Sequence, residues 1–487
     1  MSNPRFLTAL MKIIICFLFV LLLSGPLFSS AKEPEILAGA AENNITPPIG
    51  LDIMHPHRAN TGVHDPLFLR ALVLKDQHGT SVAIITADLI CTGFAAMDEL
   101  RKRVKEKAGM NEVWFNTSHA HSARWLRATP LPDRPWTDEM IWDEYYSHQM
   151  KHGSKEFKWN KMVHETAVNT VIEAKNKLTP VQLHAGRAPV QIGYNRRVAN
   201  PEGWIYMGVN KKGAAVPWVN VLVARELQNN NPIAVLFEHP AHPVTVPPNN
   251  NLVSADFPGA AVATIRKDLG PKVIAMYGQG CCGNINSFPL RSSLADAQTA
   301  GEKLGLATLQ AIKNSEPISA TKITLRSNSI KIPTRKLPDK EMISELKKKN
   351  KNQPHRIKQL NKISKLQEKM TSPPPRRFDV YGVLLGKEWG LIGMSYETFS
   401  QYELWIDKNA PFKKTMVFSL TNGGRAYIGT DESLAMGRKG GYEAASLPNW
   451  SGHETMSPSL GPPAVGCEKL IHEALESLWN FSEPQSR

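Results

Sequence analysis

Three short apolar runs in this chain each stop abruptly at a cluster of histidine, asparagine or glycine. Val113-Trp114-Phe115 runs into Asn116-Thr117-Ser118-His119-Ala120-His121-Ser122, and Ile233-Ala234-Val235-Leu236-Phe237 into Glu238-His239-Pro240-Ala241-His242-Pro243. A third run, 273–276, ends in Gly278-Gln279-Gly280-Cys281-Cys282-Gly283-Asn284-Ile285-Asn286. Short apolar runs bounded by such residues read as buried strands. Loops at the ends of buried strands are where sites collect in α/β folds. In an extended backbone His119 and His121 share one face, so one imidazole can hold a metal while the other moves protons. Taken alone, the pair also fits polar residues leaving a strand.

The rest of the chain alternates in the same style. A small-residue strand at 38–50 precedes a hairpin of 69–74 and 82–85 turning at 78–80, then an amphipathic helix at 97–107. Strands follow at 181–188 and 219–224, and helices at 161–176, 260–269 and 468–478. The pair 380–385 and 389–394 delivers Glu397, and a strand at 416–420 leads to Asn422-Gly423-Gly424-Arg425-Ala426-Tyr427-Ile428-Gly429-Thr430. This order predicts an α/β fold of mixed sheets with flanking helices, in a single large domain whose strand-end loops collect the candidate metal-site residues.

Composition limits the alternatives. Among 487 residues, 42% are hydrophobic and 21% charged, which excludes wholesale disorder. Arg5 and Lys12 precede an apolar run at 13–23, followed by Ser24-Gly25-Pro26 and Ser29-Ser30-Ala31. That is a signal peptide over 1–31, with Met11 as an alternative start and a run too short for a membrane anchor. No cysteine follows the run at a lipoprotein position, so 32–487 is expected to be secreted or periplasmic. Cys91, Cys281, Cys282 and Cys467 remain, too few for a disulfide framework in a chain this long. The adjacent Cys281-Cys282 pair can join a disulfide, and the absence of C-x-x-C argues against a thiolate zinc site.

The net charge of +14 invites a nucleic-acid partner, but residues 331–380 hold 15 Lys/Arg against 5 Asp/Glu, and the remainder is near balance. Nucleic acid is therefore not expected. Residues 331–378 read as an exposed basic helical insertion; contact with anionic lipid or acidic glycan is the other reading. Between 124 and 160 lie Trp125, Trp136, Trp142, Tyr145, Tyr146 and Trp159, which fit either a substrate wall or buried packing.

Collinear motifs carry a resemblance to a known family. They are Ile45-Thr46-Pro47, Gly62-Val63-His64, Ser118-His119-Ala120-His121-Ser122, Asn195-Arg196, Ala241-His242-Pro243, Ser254-Ala255-Asp256, the loop 279–286, Glu397 and Tyr427-Ile428-Gly429-Thr430. In this order they resemble the catalytic domain of the neutral/alkaline, non-lysosomal ceramidases, zinc amidohydrolases that cleave the N-acyl bond of ceramide, a sphingolipid. The resemblance implies His119, His242, Glu397 and Tyr427 as zinc ligands. It implies His121 as the non-ligand histidine beside the metal, and Arg196 and Tyr442 as donors to the acyl oxygen. Two imidazoles, a carboxylate and a phenolate suit a divalent zinc.

The chain departs from that pattern in three places. Asn286 stands at the family's serine, with Asn284 where an aspartate is usual, so an acyl-enzyme at Asn286 is excluded while a hydrogen bond to substrate is not. Ser122-Ala123-Arg124 replaces Ser-Gly-Pro, which places Arg124 near the pocket, toward an anionic or polar substrate. The family's C-terminal immunoglobulin-like domain is not expected here. The function expected is an exported zinc amidohydrolase using activated water on an acyl amide, lipid among the options. A zinc hydrolase of another acyl amide or ester (an acylated sugar or amino acid) and an inactive exported binding protein are the alternatives.

Overall fold

Strict two-residue alternation along three strands decides how the layers stack. In Phe68–Asp76, Leu69, Ala71 and Val73 join one core while Leu72 and Leu74 join another; in Ser81–Ala87, Ala83 and Ile85 part from Val82 and Ile84 in the same way. Val113 and Phe115 part likewise from Trp114 in Glu112–Thr117. Residues buried on both faces require a layer on each side. A computed structural model describes residues 36–54, 58–128, 151–368, 370–424, 426–444 and 463–480.

The large sheet runs, in spatial order, Ile274–Gln279, Pro232–His239, Trp218–Glu226, Thr179–Pro189, Ile36–Asn44, Phe68–Asp76, Ser81–Ala87 and Glu112–Thr117. Its first and last pairs are parallel and the pairs between are antiparallel, so the sheet is mixed. Helices Phe94–Ala108 and Lys155–Asn176 cover one half of its outer face, and Asp256–Leu269 and Leu294–Lys313 the other. The inner face packs on a second sheet of Ile323–Ile332, Arg376–Leu385, Trp389–Met394 and Lys414–Phe418. Helices Ser400–Asn409 and Cys467–Glu476 close the far side of that sheet. The expected α/β class, mixed sheets with flanking helices, is what forms. Among the described residues no helix is long and apolar enough to cross a membrane.

Helix Leu294–Lys313 is not anticipated from the sequence, and its packing explains why. A Cβ added to Gly301 would lie 2.4 Å from the Ala260 Cβ, and one added to Gly305 would lie 2.6 Å from the Thr264 Cβ. Its contact face is built from small residues for close approach to Asp256–Leu269, which weakens the apolar stripe that marks a helix.

Two asparagines tie strand ends together where the site lies, Asn116 across the two edges of the large sheet and Asn422 from the second sheet to one of those edges. The Asn116 side chain accepts from the Gln279 amide at 2.8 Å and donates to the Ser419 carbonyl at 2.5 Å. Asn422 accepts from the Phe115 amide at 2.8 Å. Strand ends far apart along the sheet path thus meet in one place.

The basic segment holds two helices, Lys340–Lys349 and Pro354–Gln367, joined by a small core of Ile343, Leu346, Leu360 and Ile363. Of the aromatic stretch, Trp125 and Trp159 are packed inside, and the Trp159 indole donates to the Ile45 carbonyl at 2.9 Å. Trp136, Trp142, Tyr145 and Tyr146 lie outside the described residues, as does the expected signal peptide. Cys91, Cys281, Cys282 and Cys467 are buried free thiols, so the adjacent pair forms no disulfide.

Candidate metal centre

His119 does not reach the site by strand alternation. Glu112–Thr117 ends before it, and His119 takes a left-handed backbone with φ of 66°. Its amide donates to the Leu89 carbonyl at 2.8 Å, and its Nδ1 lies 2.6 Å from the Ile90 carbonyl oxygen. A non-glycine residue held there costs on the order of 1–3 kcal/mol, which the surrounding hydrogen bonds must offset. His121 follows in the turn, its ring 5.1 Å from that of His119, so the two imidazoles meet through a kink.

His242 is placed from the other edge. Its amide donates to the Ile285 carbonyl at 3.1 Å, and Nδ1 lies 2.7 Å from the Cys282 carbonyl oxygen and 3.0 Å from that of Ile285. Carbonyls only accept, so Nδ1 carries the proton in both rings and each Nε2 presents a lone pair. Both Nε2 atoms stand 3.2 Å from the same oxygen, Oε2 of Glu397. Burial, and then Arg196, push the His242 imidazole down to about 3, so it is neutral at pH 7.

Electron-rich atoms therefore converge in a site where His119 is 3%, His242 1% and Glu397 6% exposed. His119 Nε2 is buried without a hydrogen bond among the described residues. A cation resolves the arrangement. Zinc with ligands at 2.0–2.2 Å in tetrahedral geometry sets its donor atoms about 3.3–3.6 Å apart, close to the spacing seen. Imidazoles whose other nitrogen donates to a backbone carbonyl are typical of metal ligands. The donor set fits a zinc ion.

Tyr427 reaches the same place through the backbone. Glu397–Thr398 pairs in parallel with Tyr427–Ile428, with Glu397 opposite Tyr427. The Tyr427 ring lies 6.4 Å from that of His242 and 5.3 Å from that of Tyr442. Arg196, 2% exposed, sits over both phenols at 5.3 and 5.0 Å. Its Nε donates to Glu443 at 2.9 Å, Nη1 to Asn286 Oδ1 at 2.9 Å and Nη2 to the Gly283 carbonyl at 2.7 Å. Burial lowers the Arg196 pKa, but Tyr442, Tyr427 and Glu443 more than offset this and keep it charged.

No family model matches the chain. Over 117 residues, 22% of the chain, it is 29% identical to a neutral ceramidase of Drosophila pseudoobscura pseudoobscura, and that stretch spans 16% of the relative's length. A neutral ceramidase from Pseudomonas aeruginosa superposes with a TM-score of 0.66 over 92% of this chain and 74% of its own, at 15% identity. The chain has the neutral ceramidase fold. A ceramidase complexed with C2 matches equally, with a TM-score of 0.66 over 92% of this chain and 75% of its own, at 14% identity.

Within this ceramidase fold, the residues singled out from sequence (His119, His121, His242, Glu397, Tyr427, Arg196, Tyr442 and Asn286) lie in one neighbourhood. Arg124 does not fit its expected role. Its guanidinium is 2.9 Å from Glu156, bonds the Asp52 carbonyl and stacks on Trp159 at 5.3 Å, so it braces the loop from inside.

Three features escaped the sequence. Cys282 offers its sulfur within 4.8 Å of His119 and His242, in a three-residue group able to hold a metal. Burial, and then Glu397, push that thiol well up, so it is protonated. Glu443 binds both Arg196 and Arg197, at 2.9 and 3.0 Å, and its place directly after Tyr442 was the only signal for it. Glu238 and Glu403 form a buried carboxyl pair beside Gly280, with burial the main cause raising both, Glu403 to about 7. No local pattern joins residues so distant in sequence.

Proposed function

We propose that this chain is an exported zinc-dependent amidohydrolase that cleaves the N-acyl bond of a lipid amide such as ceramide. The convergence of His119 Nε2 and His242 Nε2 on Glu397 Oε2 carries this reading. His119, His242 and Glu397 would hold the ion, with Tyr427 beside them. Zinc bound there supplies Lewis acidity and lowers the pKa of water to about 7.

The protein's own groups do the rest. His121, less buried than the ligands and with its ring 5.9 Å from that of His242, takes a proton from the attacking water and returns one to the leaving amine. Arg196 and Tyr442 donate hydrogen bonds toward the acyl oxygen. Such donors commonly contribute about 3 kcal/mol each. Cleavage of the signal near Ala31 would release residues 32–487 as one catalytic domain, and the basic helices within 331–378 suit an anionic membrane surface where a lipid substrate resides.

The test is zinc content and hydrolysis of a fluorogenic long-chain ceramide by the purified mature protein, beside His119→Ala. Zinc-dependent turnover lost in the variant supports the proposal. Bound zinc without ceramide turnover moves the substrate to short acyl amides or esters. Absence of zinc in the wild type overturns the ligand set.

A further inference from the structure

Asn286 is 5% exposed, in the strand Ile285–Ser287, and its backbone is held from two sides. Its ladder partner is Tyr194, and an isolated parallel bridge ties it to His242. The amide of His242 donates to the Ile285 carbonyl at 3.1 Å, and that of Ser287 to the His242 carbonyl at 3.3 Å. On the other side a Cβ at Gly193 would lie 2.4 Å from the Asn286 carbonyl oxygen, so the two strands are already in close contact. Asn286 cannot slide relative to the metal ligand His242.

Its side chain is oriented just as firmly. Arg196 Nη1 lies 2.9 Å from the carboxamide, and a guanidinium only donates, so the atom facing it is the oxygen. Arg196 is itself clamped by Glu443 and the Gly283 carbonyl. The opposite end of the amide, Nδ2, is therefore a donor of fixed direction. It is buried and has no hydrogen-bond partner among the described residues. A buried donor left unpaired is unfavourable, so the geometry calls for an acceptor from beyond the described residues.

We propose that Asn286 Nδ2 is a catalytic hydrogen-bond donor to the acyl oxygen of the substrate, the atom that gains negative charge as water adds to the carbonyl. This rests on the amidohydrolase reading above. The carboxamide makes and breaks no covalent bond. It is preorganised through Arg196 and the His242 bridge, which is what makes such a donor effective.

The experiment compares Asn286→Ala with Asn286→Ser in the zinc-loaded full chain, because a serine hydroxyl can accept from Arg196 and still donate. Zinc content and Tm are recorded for each variant. The expected result for Asn286→Ala is a kcat lower by about 10²–10³-fold with KM within threefold, and recovery of at least about tenfold in Asn286→Ser. Binding of butylphosphonate, a tetrahedral oxyanion, weakens at least about tenfold in Asn286→Ala. Where Asn286→Ala fails to fold, Asn286→Thr against Asn286→Val, matched in shape and differing in the hydroxyl, carries the same comparison. Equal kcat across the variants with zinc retained overturns the donor and leaves the hydrolase reading intact. If the wild type cleaves no acyl amide, that reading fails, and the phosphonate decides: binding weakened in Asn286→Ala supports the donor. Equal binding, or none to the wild type, overturns it.

Discussion

Glu397 and Tyr427 face each other as register partners in a two-residue parallel ladder, the whole of a small sheet. Parallel neighbours lie about 4.8 Å apart and present side chains on one side. That ladder brings the carboxylate between the two imidazoles and a phenol next to it, from positions thirty residues apart in the chain. Tyr396, just before Glu397, has φ of 65°, so a left-handed residue precedes Glu397 in the chain, and His119 itself is left-handed at 66°. Local backbone strain at these two points is offset by the hydrogen bonds that fix them.

Replacing the carboxylate tests the centre directly. Glu397→Ala is expected to lower zinc affinity and amide hydrolysis by at least about 100-fold, since losing a group that only hydrogen-bonds a metal ligand already costs about 10–100-fold. Zinc stoichiometry after dialysis and kcat/KM measure this. Zinc retained at one equivalent in the variant would remove Glu397 from the ligand set.

Tyr427→Phe separates a ligand from a neighbour. If the phenol oxygen binds the ion, the zinc Kd rises by about tenfold or more, read by competition with a chelator of known affinity. An unchanged Kd would mean that Tyr427 serves Arg196 and Tyr442 only.

Glu443→Gln leaves Arg196 and Arg197 facing a neutral amide in a buried setting. Breaking one side of a buried ion pair destabilises by about 3–5 kcal/mol. Chemical denaturation should report a loss in that range, together with reduced kcat because Arg196 is no longer clamped. A variant as stable as wild type would show that water already shares this charge.

The Glu238–Glu403 pair predicts a pH dependence of stability. The Glu403 carboxyl is raised to about 7, chiefly by burial. A carboxyl whose pKa is higher folded than unfolded contributes stability in full below the unfolded value near 4.5, and that contribution is lost as pH rises through about 7. Denaturation free energy should therefore fall between pH 5 and 8, by on the order of 1–3 kcal/mol from this pair. Glu403→Gln should flatten that slope; the same slope in the variant would rule the pair out as its source.

Zinc removal offers a further check. An ion that binds only the folded state stabilises it by mass action, so chelation should lower Tm and zinc should restore it. The same Tm with and without chelator would argue that the site is empty in solution.

The sequence by itself determined the α/β class, the buried strands and the residues waiting at their ends, because side-chain alternation and chain punctuation are local properties. The histidine clusters holding His119 and His242 were legible for that reason, whereas Glu397 and Tyr427 were singled out by the resemblance to the neutral ceramidases. Only the tertiary structure decided how they meet. The left-handed turn at His119, the Asn116 and Asn422 side chains that tie distant strand ends, and the clamp of Glu443 on Arg196 and Arg197 all depend on hydrogen bonds between segments far apart in the chain. The small-residue face of Leu294–Lys313 was hidden for a related reason: its glycines make sense only against the helix that packs on them. Local pattern reports which faces are buried, whereas which partner buries them is settled by contacts that no short window of sequence contains.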